Sequence, residues 1–164
     1  MRASILAICF AAVCAMLCLS AAAQQTVIVV RHGEKLDNSP DPVLSAEGEA
    51  RAARLANMLA ASNVRAIYTT QYKRTILLAA PTAKRLRLTP VTIPAKELDA
   101  LIAKIRMHAN DEVVLVVGHS NTVPAILKGL GHAPAVTVGE EDYDNLFIVV
   151  TQPSGAPTVL HLKY

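Results

Sequence analysis

Arg31-His32-Gly33-Glu34, Tyr68-Thr69-Thr70 followed by Arg74, and Gly118-His119-Ser120-Asn121 are the segments of this chain in which nucleophilic and cationic side chains stand together. A neutral imidazole can attack phosphorus, but the transferred phosphoryl group spreads negative charge over three oxygens that fixed cations and donors must stabilise. Guanidinium groups suit that task because they stay charged and bind phosphate oxygens bidentately. The residue types therefore point to His32 as nucleophile, Arg31 and Arg74 as phosphate-binding forks, and His119 as a second catalytic imidazole donating to an equatorial oxygen. The field of the two arginines would also keep His32 unprotonated.

Such a set works only if the three segments meet, and the elements around them predict that they do. Val27–Val30 and Val113–Val117 are β-branched runs that read as strands buried on both faces, with Val64–Tyr68 as a further strand and Val91–Ile93 as a short one. Helices are expected over 45–61, capped by Ser45, with Leu55, Met58 and Leu59 on one face and Glu47 paired with Arg51 on the other. Further helices are expected over 71–86, where Pro81 should kink or divide the segment, over 97–108, and after Asn121, where Pro124 suits a first turn. Residues 146–150 and 158–162 read as a hairpin around Pro153-Ser154-Gly155-Ala156-Pro157. The expected fold is a three-layer α/β/α sandwich with a mainly parallel, mixed sheet. Ligands in such sheets bind beyond the carboxyl ends of the strands, where His32 and His119 fall. Gly33 is expected to let the backbone turn sharply there.

Residues 1–23 stand apart from this pattern. One basic residue, Arg2, precedes an apolar run from Ile5 to Leu19 and then Ser20-Ala21-Ala22-Ala23, the layout of a signal peptide cleaved near Ala23. The run is short for a bilayer-spanning helix, which needs about 20 residues, so no stable membrane insertion is expected after cleavage. Cys9, Cys14 and Cys18 all lie within it, leaving residues 24–164 without a disulfide, a thiolate nucleophile or a Cys metal site. Ala15-Met16-Leu17 lacks the small residues expected before a lipidated Cys18. The expectation is an exported protein, periplasmic or secreted, with one domain over 24–164. The formal net charge is +3, lowered by one when Arg2 leaves, which is far from the basic footprint of a nucleic-acid binder.

Taken together, the three segments resemble the histidine phosphatase superfamily, the group containing phosphoglycerate mutases and histidine acid phosphatases. The resemblance runs over nearly the whole of 24–164, with each segment following a strand. It implies a phosphoglycerate mutase-like fold and a phosphatase acting on a phosphomonoester or related small phosphorylated substrate through a phosphohistidine on His32, with Arg31, Arg74 and His119 as the phosphate pocket. Asn38 stands where mutase-like members often place an asparagine that touches phosphate. The chain departs from the family in three places: Leu77-Leu78-Ala79 replaces a common Gln-Thr-Ala, Ser120 stands where histidine acid phosphatases have Asp, and the insertion that brings mutases a catalytic acid is reduced to Pro90–Lys96. Glu34, Glu97 and Asp99 are left as candidate acids. A short connector favours hydrolysis, because a mutase needs a closed, water-excluding pocket.

Two other function classes compete. Gly118-His119-Ser120-Asn121-Thr122 imitates a nucleophile elbow, which would make Ser120 the nucleophile of a serine hydrolase with Asp144 and His161 as partners; Thr122 replaces the final glycine, and Arg31, His32 and Arg74 would have no role. A non-catalytic phosphate-binding module on the same fold is the other. His108, His132 and His161 lack ligand spacing, so neither a metal nor a cofactor is expected. Gly129-Leu130-Gly131 reads as a helix C-cap, not a dinucleotide loop. No feature fixes an oligomeric state.

Overall fold

A computed structural model describes residues 24–152 and 154–164. The leader, its cysteines and Pro153 lie outside the described residues. Six strands form one sheet: β1 (Thr26–Arg31), β2 (Val64–Thr69), β3 (Val91–Thr92), β4 (Val113–Gly118), β5 (Asn145–Val150) and β6 (Thr158–Lys163), in the order β3-β2-β4-β1-β5-β6. The first four in that order run parallel; β5 is antiparallel to β1 and forms the expected hairpin with β6. The helices are α1 (Ala46–Met58), tightening into a 3-10 turn over Leu59–Ala61, α2 (Lys73–Leu86), α3 (Leu98–Arg106) and α4 (Thr122–Gly129).

The central strands are apolar on both sides because both faces are covered. Val27, Val29, Val114 and Val116 pack with Ile102 and Ile105 of α3 and with Val123, Ile126 and Leu127 of α4. The alternate residues Ile28, Val30, Leu115 and Val117 pack with Leu55 of α1 and Leu78 of α2. Period-two alternation thus feeds two separate cores, which is what makes the sandwich three-layered.

Several local expectations need revision. Leu55 and Leu59 face the core, but Met58 is exposed. Arg51 turns from Glu47 to Glu34, donating to it through Nε and Nη2 at 2.6–3.1 Å, while Glu47 accepts from Ser45. A forked contact in a partly buried site outweighs an exposed pair one turn apart. Pro81 neither divides nor ends α2. The carbonyl it leaves without a helix partner, that of Leu77, belongs to an exposed residue and can be hydrated. Gly33 has no positive φ. It is small for another reason: a Cβ there would lie 3.1 Å from Gly48 Cα and 3.3 Å from Leu78 Cδ1, and a Cβ on Gly48 would meet the Glu34 carbonyl at 2.5 Å. The turn after β1 is therefore pressed directly onto α1.

At the C-terminus of α4, Gly131 adopts φ +99° and the His132 N–H reaches back to Leu127, a Schellman-type cap on the stretch read as one.

Candidate active site

Strands β1 and β4 end side by side, with Arg31 in register with Gly118, and the His32 N–H extends that ladder to the Gly118 carbonyl at 2.9 Å. Strand β2 ends on the other side of β4, with Thr69 opposite Val117. Parallel pairing alone therefore delivers His32, Thr70 and His119 to one edge. Arg74 joins them from the first turn of α2, whose N-terminus is fixed by the Asp41 carboxylate accepting from the Lys73 N–H at 2.9 Å. The four sequence-predicted residues Arg31, His32, Arg74 and His119 all line one pocket of about 450 Å³, together with Lys35, Tyr72, Ser120 and Glu140.

The two imidazoles are nearly buried, at 4% exposure for His32 and 6% for His119, with ring centroids 5.2 Å apart. His32 Nδ1 lies 2.8 Å from the Gly33 carbonyl, an oxygen that can only accept, so the proton sits on Nδ1 and Nε2 keeps its lone pair. Burial above all, reinforced by the charges of Arg31, Arg74 and Lys35 and opposed by the Gly33 carbonyl, lowers His32 from 6.5 to about 4. Burial, then the neighbouring His32 and the two arginines, lowers His119 to about 3. Both rings are neutral at physiological pH.

His119 is held from two sides. Its Nδ1 faces Arg74 Nη2 at 3.4 Å and its Nε2 faces Thr70 Oγ1 at 2.9 Å. Arg74 can only donate, so Nε2 carries the proton and passes it to Thr70, whose hydroxyl donates to Thr75 Oγ1 at 3.0 Å; Thr75 in turn donates to the Tyr72 carbonyl at 2.8 Å. This relay, carried by Thr70 and Thr75, is not readable from sequence spacing. It also qualifies the expected donor role: with both nitrogens engaged, His119 orients Arg74, and donation from Nδ1 to a bound oxygen requires the long Arg74 contact to open and a proton to be placed on Nδ1.

Arg31 is 1% exposed. Nη1 donates to the Gly139 carbonyl, Nη2 to Glu140 Oε2 at 3.2 Å, and Cζ lies 4.2 Å from the centroid of the Tyr143 ring. Arg74 stacks on Tyr72 at 4.4 Å. In both arginines Nε is buried and has no hydrogen-bond partner among the described residues.

Four sequence candidates fall away from the pocket. Glu34 is gripped by Arg51; burial would raise its carboxyl, but the Arg51 hydrogen bonds and charge hold it below the usual carboxylate range. Asp99 is exposed in α3 and Glu97 lines a neighbouring cavity. Asn38 is exposed and accepts from Lys35 at 3.4 Å, outside the pocket lining. The carboxylate that does line the pocket is Glu140, whose Oε1 accepts from Ser120 Oγ at 2.6 Å. Sequence reading missed it; the acidic run Glu140-Glu141-Asp142 was its only signal.

The hydrolase elbow is not assembled. Ser120 donates to Glu140, Asp144 pairs with Lys163, and His161 stacks on Phe147 and bonds Asn145 on the β5–β6 hairpin. Among the described residues no cluster of three or more His, Cys, Asp or Glu could hold a metal ion, and no helix is long and apolar enough to cross a membrane.

Residues 27–96 match the model of the histidine phosphatase superfamily, branch 1, a span containing Arg31, His32 and Arg74. Among solved structures, the chain is similar to the protein histidine phosphatase SixA complexed with tungstate, at 18% identity and TM-score 0.70, over 84% of this chain and 96% of that one. It is also similar to a mycobacterial glucosyl-3-phosphoglycerate phosphatase, at 13% identity and TM-score 0.67, over 85% and 97%. A third is phosphoserine phosphatase from Entamoeba histolytica in complex with 3-phosphoglyceric acid, at 14% identity and TM-score 0.65, over 85% and 97%. Comparison with curated proteins gives no match.

Proposed function

We propose that the chain is a phosphatase that hydrolyses a small phosphorylated substrate through a phosphohistidine on His32. The observation that carries this reading is the fixed tautomer of His32: Nδ1 is tied to the Gly33 carbonyl, so the lone pair is on Nε2, in a pocket lined by Arg31 and Arg74. In the first step Nε2 attacks phosphorus as the P–O bond breaks, and the leaving oxygen keeps the bonding electron pair and takes a proton from solvent to depart as the alcohol. In the second, water attacks phosphorus, the P–N bond breaks, and inorganic phosphate and neutral His32 are released. The guanidinium groups of Arg31 and Arg74, both of which line the pocket, hold the phosphoryl oxygens. His119 keeps Arg74 aligned through the Thr70 relay.

The superfamily match and the phosphatases among the structural neighbours support the reading. The leader-like segment over 1–23 would deliver this activity outside the cytoplasm.

The test is rapid-quench labelling with a phosphorylated substrate, followed by acid treatment. An acid-labile phosphoprotein should form on the wild type and be absent from His32→Ala, whose turnover should fall by about a million-fold, as for removal of other enzymatic nucleophiles. Full activity in His32→Ala would sink the proposal. Binding of vanadate without any phosphoprotein would instead identify a phosphate-binding module.

A further inference from the structure

Beside the charged pocket, on the face of the sheet covered by α3 and α4, lies a second cavity of about 250 Å³. Its walls are mainly apolar: Ile93 and Pro94 after β3, Leu98 and Leu101 on α3, and Ala125 and Ile126 on α4. It exists because the small side chains of Ala95 and Ala125 leave the wedge between the N-terminal ends of the two helices unfilled. Ala95 and Asn121 line both this cavity and the charged pocket, so the two are contiguous. Thr70, which holds His119, forms part of the wall. No Lys or Arg lines the cavity; the charged group on its wall is the exposed carboxylate of Glu97.

We propose that this cavity receives the leaving group of the substrate, and that the preferred substrates are phosphate monoesters of alcohols carrying one aromatic ring or a branched apolar chain of similar size. This deepens the phosphatase reading and rests on it. Arg31, Lys35 and Arg74 line the charged pocket and no Lys or Arg lines the cavity, so a phosphate placed in the first leaves the rest of the molecule facing a mainly apolar wall without a cation. A ring fits: an apolar protein cavity of about 150 Å³ is enough for benzene. A second anionic group on the substrate would meet Glu97 with no cation to balance it. Burying the apolar group would add affinity in proportion to the area removed from water.

The experiment compares non-hydrolysable phosphonates by calorimetry alongside turnover of the matching phosphates. Benzylphosphonate should bind the wild type at least about tenfold more tightly than methylphosphonate, while 2-carboxyethylphosphonate should gain nothing over methylphosphonate. Ala125→Phe, which fills the cavity from α4, should bring the benzyl-to-methyl ratio close to one. Leu101→Ala should widen the cavity and move the preference to naphthylmethylphosphonate, and it decides the question if Ala125→Phe does not fold. A benzyl-to-methyl ratio near one in the wild type, or a ratio that neither substitution changes, overturns the proposal. If the phosphonate preference holds but benzyl phosphate gives no phosphoprotein, the hydrolytic reading fails while the apolar subsite stands.

Discussion

Two arginines, Arg31 and Arg51, are buried on either side of the same turn and have opposite circumstances. Every guanidinium nitrogen of Arg51 has a partner: Nε and Nη2 are on Glu34, and Nη1 donates to the Tyr164 backbone oxygen at 2.7 Å. Arg31 is more deeply buried, yet it has one backbone carbonyl, one carboxylate that is 77% exposed, an aromatic face and an Nε–H with no partner among the described residues. A buried cation is costly unless its donors are met. A residue that keeps such a cost where a pocket opens is suited to a ligand; one that cancels it internally is suited to holding elements together.

The sharpest way to break this contrast is to replace each arginine by methionine. Arg31→Met should lower kcat/KM by about a hundred- to a thousand-fold, the scale for loss of one preorganised donor in a reacting site, with little loss of thermal stability. Arg51→Met should leave activity per folded molecule near wild type. It should cost about 2–3 kcal/mol of stability, trimmed from the buried-pair range because both side chains keep some solvent contact, or about 5–10 °C in melting temperature. Equal losses of activity in the two variants would erase the distinction.

The pH response sharpens it next. Burial, then the charges of Arg31, Arg74 and Lys35, put His32 at about 4, and His119 lies at about 3. Both are below the ordinary value of 6.5, so unfolding takes up protons as the pH falls below 6.5. Their contribution to stability is therefore complete above pH 6.5 and is lost as the pH falls through the folded values. The acid limb of kcat/KM for the free enzyme should lie near pH 4, and in Arg31→Met it should move upward because one of the depressing charges is gone. An acid limb at 6.5 in the wild type would mean that His32 is exposed or that it is not the group that reacts.

Much of this site was legible in the chain because the β-branched runs 27–30 and 113–117 admit few alternatives: buried on both faces, they must be central parallel strands, and the residues leaving their carboxyl ends must share an edge. That logic brings His32 and His119 together, and the spacing after Tyr68-Thr69-Thr70 brings in Arg74. The partners of Glu34 and Arg31 obey no such period. Glu34 finds Arg51 only because Gly33 and Gly48 let the turn press onto α1, and Arg31 finds Gly139 and Glu140 in an irregular segment between α4 and β5. Side-chain contacts made across loops are set by tertiary approach, so an exposed helical pair such as Glu47 with Arg51 was the natural expectation and the wrong one.

The smallest expected effect concerns Glu140, which stands where the contrast between the two arginines is incomplete. Its hydrogen bond from Ser120, then the charges of Arg31 and Lys35, hold its carboxyl below the usual range, so it is an anion resting on the Arg31 guanidinium, the fork proposed to bind phosphate. An incoming phosphate must share or displace it. Glu140→Gln keeps the shape and removes the charge, and because the side chain is largely in water its effect is screened. Vanadate should bind about two- to fivefold more tightly to Glu140→Gln at low salt, with the gain shrinking as salt is added. No change would make Glu140 a bystander. Weaker binding would mean that its charge is needed to hold Arg31 in place, which would make Arg31 less of a waiting ligand site and more like Arg51.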